Sequence, residues 1–231
     1  MTIQAVHAQT PKQKITSLLV TMGLKVEKTL DQAIMALLHS NTHVVAGLME
    51  NAVAIKELEI AVDQAVFAAL ESGELLSSEI RQVTSVVNIS KELARLGKLA
   101  ATLGRRVSQV GEHHELEDFS RLQPMAIAVS HLCRQTLQAL TRLDSLLAGN
   151  AAAGSATVDA YRDYVFRNLR TPTAAAVALN DEQNIHLIFA SRCLEQIADH
   201  ASALAENLVV FLGSSPSPQS SQPETRQPVA C

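Results

Sequence analysis

The chain has 231 residues, of which 47% are hydrophobic but only 3% aromatic, and its formal net charge is −4 at pH 7. A core that must be built mainly from Ala and Leu favours helices over sheets, so the composition predicts an all-α fold. The acidic balance, the absence of Trp and the presence of only 2 Tyr provide neither an overall basic footprint nor stacking platforms, which argues against nucleic-acid binding.

The cysteines and the N-terminus are typical of a protein in a reducing, intracellular compartment. Cys133, Cys193 and Cys231 are odd in number and far apart, and they match neither a disulfide framework nor a C-x-x-C metal motif. The N-terminus lacks a charged-then-apolar signal pattern, and no uninterrupted apolar run approaches the roughly 18 residues that span a bilayer. We therefore expect a cytoplasmic protein that reaches a membrane only through a partner or a surface.

Three helices are predicted in the first part of the chain, on the basis of apolar periodicity and of capping residues at their ends. Thr10-Pro11 combines an N-cap residue with a proline at the first helical position. Asn41-Thr42 is expected to cap the second helix. The three predicted helices run from Pro11 to about Leu38, from the Asn41-Thr42 cap to Ser72-Gly73, and from Ser77 or Ser78 to near Gly111.

The pattern restarts after a junction over residues 111–115, and three further helices are predicted. The first half of the fifth predicted helix contains Gly149 and Gly154, each of which costs a helix about 1 kcal/mol relative to Ala. The predicted helices run from about Leu116 to Leu143, from after Asp144 to Thr171-Pro172, and from an Asp181 cap to Leu212-Gly213. The remaining residues are rich in Ser, Pro and Gln and are predicted to be disordered.

The two halves of the chain repeat each other. VVNISKELARLGKLAATLGRRV, from Val86, matches LIFASRCLEQIADHASALAENLV, from Leu187, at an offset of 101 residues. Met22 matches Met125 at an offset of 103, as Asn41 matches Asp144. Two modules of about a hundred residues, each a plausible domain, therefore make up the chain. We predict two tandem three-helix bundles, over residues 10–110 and 116–213, followed by a disordered tail over 214–231.

The sixth predicted helix has an apolar seam and a charged stripe beside it. Glu195 and Asp199 lie in this stripe, one helical turn apart on the same side, where two acids repel each other unless a cation lies between them. The matching stripe of the third predicted helix contains Lys91, Lys98 and Arg105, so its charge is reversed.

The residues around the Glu195 and Asp199 stripe resemble the signature of a known protein family. The string LEQIADHA, residues 194–201, followed by Leu204-Ala205-Glu206, resembles the LERIGDHA signature of the PhoU family, bacterial regulators of phosphate uptake and phosphate signalling. Residues 79–83, EIRQV, are similar to the family's acid-Leu-Arg turn, and residues 58–63, LEIAVD, to its second-helix pattern. The resemblance covers about Ile15 to Gly213. It implies two tandem three-helix bundles joined into an elongated molecule.

The resemblance also implies a metal site, because the family's E-x-x-x-D-x-x-x-N pattern can hold iron or zinc on each bundle. Carboxylate and amide oxygens at this spacing present hard ligands on one face. The second module keeps Glu195 and Asp199, and Asp159 matches a further acid position, although Ala203 replaces the Asn. In the first module the matching positions are Ala52, Lys56, Ala94, Lys98 and Thr102, whose lysines would repel a divalent cation. We therefore predict iron or zinc in the second bundle only.

Each of the two charged stripes could also be an ordinary solvent-exposed helix face with no ligand. A Glu-x-x-x-Asp pair on an amphipathic helix is usually a solvated polar face. The basic stripe Lys91, Lys98 and Arg105 is either a solvated surface or a site for an anion or an acidic partner. His200 is expected to support helix packing or to cap the metal face, and Cys193 is expected to be a buried or half-buried thiol.

The sequence indicates an interaction protein rather than an enzyme, since it has no Gly-rich phosphate loop, no recognisable Ser or Cys nucleophile motif and no His-bearing catalytic pattern. The resemblance implies a negative regulator at the cytoplasmic face of the inner membrane. It would contact the ATPase of the phosphate ABC transporter and the phosphate sensor histidine kinase, restraining both when phosphate is plentiful. Two alternatives remain: a carboxylate-type metal enzyme or metal store, and a helical adaptor of another phosphate transporter. The sequence leaves the oligomeric state open, a homodimer included.

Overall fold

A computed structural model describes residues 10–39, 46–73, 77–111, 122–153 and 181–213. Within these ranges all the regular secondary structure is helical, so the predicted all-α class is confirmed. The helices are α1 (Pro11–His39), α2 (Ala46–Glu71), α3 (Ser77–Gly111), α4 (Gln123–Arg142), α5 (Ser145–Ala153) and α6 (Asp181–Phe211). None of the described helices is both long enough and apolar enough to cross a membrane.

Local chemistry sets most helix ends where the sequence predicted them. Thr10 Oγ1 accepts a hydrogen bond from the Gln13 backbone N–H at 3.3 Å, and Gln13 Oε1 accepts one from the Thr10 N–H at 3.0 Å. This reciprocal pair is a capping box, which satisfies donors that the first turn of α1 leaves free. Gly73 and Gly213 follow α2 and α6 with φ of +69° and +76°, a left-handed conformation that suits glycine at a helix C-terminus.

The connection between α4 and α5 is tightly capped on both sides. Leu143 has a φ of 53° and ends α4, and the Asp144 N–H donates to the Ala139 carbonyl at 2.9 Å. Asp144 Oδ1 then accepts a hydrogen bond from the Leu147 N–H at 3.0 Å. Asp144 is therefore the N-cap of α5. The predicted Asn41-Thr42 cap, the Thr171-Pro172 stop and the tail lie outside the described residues.

The predicted start of the fourth helix was wrong. The helix begins at Gln123 instead of near Leu116, with Leu122 as its N-cap residue and Pro124 in its first turn. Proline fits the first turn of a helix, where its missing N–H has no partner to lose. In a helix interior the proline ring clashes with the carbonyl four residues earlier, so a helix from Leu116 could not continue unbroken through Pro124.

Both halves of the chain contribute to one continuous apolar core. The predicted seam of α6 is buried throughout, and so are the pairs of positions that the internal repeat relates, such as Met22 with Met125 and Leu37 with Leu140. The buried seam residues are Leu187, Ala190, Leu194, Ile197, Ala201, Leu204, Leu208 and Phe211. The equal burial of repeat-related positions confirms that the repetition in sequence is a repetition in structure.

The two repeats pack side by side, α3 against α6 and α1 against α4. Helices α3 and α6 are antiparallel, because Glu92 and Arg106 of α3 contact His200 and Phe189 of α6 in reversed order along the chain. Helices α1 and α4 are antiparallel as well, since Gly23 lies beside Leu140 while Asp31, further along α1, meets Arg134, which is earlier in α4. Asp31 Oδ1 of α1 accepts a hydrogen bond from Arg134 Nη2 of α4 at 3.1 Å, and their positions differ by 103 residues, which is the repeat offset. We infer that a pseudo-twofold axis relates the repeats and passes near this pair.

Candidate functional site

The predicted acidic pair lies on the outer side of α6. Asp199 is exposed and Glu195 is half-buried, while Leu194, Ile197 and Ala201 occupy the core side of the same turns. Residues four apart on a helix are neighbours on its surface, so the two carboxylates project from adjacent turns. Asp159, the third predicted ligand, lies outside the described residues.

The described residues at the predicted metal site provide only part of a ligand set. Within those ranges, no group of three or more His, Cys, Asp and Glu side chains could hold an ion. Glu195 and Asp199 provide two carboxylates, and Ala203, one turn further on, has no ligand atom to add. Burial raises the pKa of the neighbouring Cys193 thiol, although the Arg106 guanidinium opposes this rise, so Cys193 is a poor source of thiolate. A metal site at Asp159, Glu195 and Asp199 therefore stays a prediction.

The corresponding surface of the first repeat does not fit a cation. Lys98 is exposed on α3, and Lys56 on α2 is mostly exposed, with its Nζ 2.6 Å from Glu59 Oε2. Two lysines at the positions that would face a metal ion oppose its binding by charge repulsion. The restriction of metal to the second bundle stays a prediction.

The basic stripe of α3 is exposed to solvent. Lys91, Lys98 and Arg105 follow one another at intervals of seven residues, which places them on one side of the helix, and all three are exposed. None of them forms an ion pair with another residue in the described ranges. The stripe thus has the accessibility that contact with an anion or an acidic partner requires.

A polar cluster that the sequence did not predict joins the two repeats. Glu92 of α3 is buried, and its Oε2 lies 2.7 Å from His200 Nδ1 of α6. Its Oε1 accepts a hydrogen bond from Arg95 Nη1 at 2.8 Å. An ionised carboxylate can only accept, so His200 donates from Nδ1. His200 therefore supports the packing of the two repeats, one of the two roles expected for it, and Glu92 is the partner that was missed.

The cluster occupies only one side of the pseudo-twofold axis. At the repeat offset of 101, Glu92 corresponds to Cys193 and His200 corresponds to Leu99, so the related position has no charged pair. On that side, Arg106 lies over the Phe189 ring, 4.6 Å from its centre, a cation–π contact between α3 and α6. The two halves of the α3–α6 interface are therefore held together by different chemistry.

These features define a class of protein in which two related three-helix units pack about a pseudo-twofold axis and carry charged stripes on their third helices. The PhoU domain family model matches residues 19–107 and again residues 122–208. The chain belongs to the PhoU family.

Several curated proteins are similar to this chain over most of its length. It is 29% identical over 206 residues to the phosphate-specific transport system accessory protein PhoU homolog of Pseudomonas aeruginosa, covering 87% of this chain and 82% of that protein. It is 27% identical to the Pseudomonas putida protein of the same name, covering 87% and 78%. It is 28% identical to the Zymomonas mobilis homolog, covering 83% and 81%.

Two crystal structures are also similar. The structure of PhoU from Pseudomonas aeruginosa matches with a TM-score of 0.79 and 27% identity, over 88% of this chain and 97% of that one. The phosphate transport system regulatory protein PhoU from Streptococcus pneumoniae matches with a TM-score of 0.71 over 87% and 93%, at 19% identity. Because the identity to the Streptococcus pneumoniae protein is only 19%, this second similarity shows the fold alone.

Proposed function

We propose that this protein is a cytoplasmic negative regulator of phosphate uptake and of phosphate-starvation signalling. The observation that supports this proposal best is that both repeats match the PhoU domain, while relatives similar over most of this chain are named phosphate-specific transport system accessory proteins. An accessory protein acts through contacts rather than through chemistry on a substrate, which agrees with a sequence that has no catalytic motif.

The proposed partners are the ATPase of the phosphate ABC transporter and the phosphate sensor histidine kinase. Contact with them would bring the protein to the inner membrane. The exposed stripe of Lys91, Lys98 and Arg105 supports a contact with an acidic surface of one of these partners. Exposed charges act mainly by steering association, and salt screens them.

A binding measurement tests this proposal. The purified transporter ATPase is immobilised, and association of the full chain is followed by surface plasmon resonance at low and at physiological salt. Reversing Lys91, Lys98 and Arg105 to Glu should slow association and remove most of its salt dependence. Helicity should be preserved, because all three side chains are exposed.

A matched control distinguishes the effect of the α3 stripe on binding from the effect of the overall net charge. Reversing Lys14, Lys28 and Arg142, which are exposed on α1 and α4, changes the net charge by the same amount. This control should leave most of the binding in place. Equal losses in both triple variants would mean that overall charge, and not the stripe, drives the contact.

Metal binding is a second proposed property. It rests on the adjacent Glu195 and Asp199 carboxylates on the outer side of α6, with Asp159 as a further ligand. Carboxylate oxygens at this spacing would bind iron or zinc more weakly than a complete ligand set, because Ala203 contributes nothing. Elemental analysis of the purified chain tests this property.

A further inference from the structure

The three cations of the α3 stripe, Lys91, Lys98 and Arg105, are evenly spaced along the outer side of the helix. They lie seven residues apart, a distance of about 10.5 Å along the helix axis. All three are exposed, and none forms an ion pair within the described residues. The stripe therefore presents a straight row of three positive charges about 21 Å long.

The fold does not require positive charge at these three positions. At the repeat offset of 101, the α6 residues are Arg192, Asp199 and Glu206, and all three are exposed. Both repeats match the same domain model. Because the second repeat is built with mixed charge there, the uniformly basic row is a property of the first repeat and not of the fold.

The length of the row argues against a small anion as its ligand. Hydrogen bonds from a cation to an oxyanion are about 2.7–2.9 Å long. Lys91 and Arg105 begin about 21 Å apart on the helix, so one phosphate ion cannot reach both of them. A ligand that uses the whole row must itself be extended.

A helix matches the spacing of the row, and an extended segment does not. A strand advances about 3.3 Å per residue, so about 10.5 Å corresponds to three residues, and residues three apart on a strand point to opposite faces. A partner helix has the same rise as α3. Acidic residues at every seventh position would repeat at the same interval and remain on one side, as heptad positions do in coiled coils.

The surface between the cations allows another helix to approach. Ala94, Ala101 and Thr102 lie between them on this side of α3, and all three are buried or half-buried. The distance between packed helices depends on the side chains at the contact. A partner helix can therefore set apolar side chains over these small residues while its acids meet the cations.

The neighbouring stripe of α6 argues against an anionic membrane as the ligand. The pseudo-twofold axis crosses the antiparallel pair of α3 and α6, so the outer sides of both helices face the same direction. A flat bilayer laid on the α3 stripe would also approach the exposed Asp199 and Glu206, which anionic lipids repel. A single helix can follow α3 alone.

A second copy of this chain is a poorer match than an acidic helix. Its α6 stripe would have to supply the acids, but an antiparallel pairing that sets Lys98 against Asp199 also sets Arg105 against Arg192. A parallel pairing at the repeat offset sets Lys91 against Arg192 instead. Like charges in register across an interface oppose association.

We propose that the α3 stripe is a docking surface for a partner helix that carries Asp or Glu at every seventh residue, beside a row of apolar residues. This inference rests on the contact between the stripe and an acidic partner under the proposed function. It names the chemistry of the segment that is bound.

Designed peptides test the proposal on the full chain. Two helical peptides of about 22 residues, enough to cover the stripe, have the same composition and the same row of Leu. Glu recurs at every seventh residue beside the Leu row in the first peptide, and lies on the opposite side of the helix in the second. Fluorescence anisotropy at low salt should show that the first peptide binds roughly tenfold more tightly.

Charge exchange locates the binding. Reversing Lys91, Lys98 and Arg105 to Glu should remove the preference for the first peptide. The same variant should bind a third peptide, with Lys in place of each Glu of the first, more tightly than the parent does, which also demonstrates that the variant is folded. The control triple variant on α1 and α4 should keep the parent's preference.

Equal affinity of the parent for the two Glu peptides overturns the inference. Inorganic phosphate that displaces the first peptide more than sodium chloride does at equal ionic strength would also overturn it, because the ligand is then a small anion. So would stripe-dependent binding to vesicles of phosphatidylglycerol and phosphatidylcholine in equal parts, or a parent dimer in sedimentation equilibrium that stripe reversal dissociates.

The peptide experiment can fail or succeed independently of the proposed function. If the peptides bind equally while the transporter ATPase still binds through the stripe, the inference alone is wrong. If the first peptide is preferred but stripe reversal leaves ATPase binding unchanged, the contact proposed for the ATPase is wrong, and the helix belongs to another partner.

Discussion

The contact between Glu92 and His200 should hold the two repeats together more strongly than the exposed ion pairs within the described residues, such as that of Arg134 with Asp31. The Glu92 side chain is 11% exposed and the His200 side chain 29% exposed, and the atoms that meet are 2.7 Å apart. A hydrogen bond to a charged group typically contributes about 1.5–3 kcal/mol to stability. We therefore expect His200→Ala to lower the free energy of unfolding by about 2 kcal/mol. For a chain of this size, that lowers Tm by roughly 4–8 °C.

A double-mutant cycle separates this contact from the cost of truncating each side chain. Urea unfolding of Glu92→Ala, His200→Ala and the double variant should give a coupling free energy of about 1.5–2 kcal/mol. Arg95→Ala is the matched control, because Arg95 binds the same carboxylate but its side chain is 56% exposed. Exposed pairs typically contribute about 0.2–1 kcal/mol, so this variant should cost less. A coupling near zero, or a larger loss from Arg95→Ala, would refute the reasoning.

Four further variants each test one local feature of the described structure. If metal is bound, elemental analysis should find none in the Glu195→Ala/Asp199→Ala variant, and stoichiometric metal there would contradict the assignment. Burial raises the pKa of Cys133 from 9.0 to about 12, so ionisation opposes folding and stability should fall as pH rises from about 9 to about 12. In urea unfolding, Cys133→Ala should flatten that decline, and an unchanged slope would exclude the thiol as its cause. Gly97→Val should destabilise the protein by about 1–3 kcal/mol, because even a Cβ would lie 2.7 Å from a side-chain atom of α2. Gly149→Ala, where a Cβ meets nothing within 4 Å, should instead stabilise the protein by up to about 1 kcal/mol. Thermal melts of the two variants should therefore show a lower Tm for Gly97→Val and an unchanged or higher Tm for Gly149→Ala, and the opposite order would contradict both predictions.

Periodicity and capping residues were enough to predict most of the fold. The seam of α6 could be predicted because an apolar side chain at every third or fourth position has one stable use, burial against other helices. Asp144 could be predicted as a cap because the repeat sets it opposite Asn41, another residue type that caps helices. The predicted start of α4 near Leu116 was wrong because Pro124 fits only the first turn of a helix, and the helix begins at Gln123.

The contacts between the repeats were harder to predict. Glu92 and His200 are 108 positions apart, and no local pattern reports which helices will pack together. The repeat itself held one usable signal, since the offset of 103 aligns Asp31 with Arg134, and opposite charges at equivalent positions can meet across a twofold axis. Residue types predicted the charged stripes of α3 and α6, but local sequence could not predict the asymmetric α3–α6 interface.

The most direct test of the central claim is a reporter measurement in the native host. The gene is deleted, and alkaline phosphatase activity is measured in phosphate-rich medium, with and without the chain supplied from a plasmid. If the protein restrains phosphate-starvation signalling, the deletion should raise phosphatase activity and the plasmid copy should restore repression. Unchanged phosphatase activity in the deletion strain would contradict the proposed function.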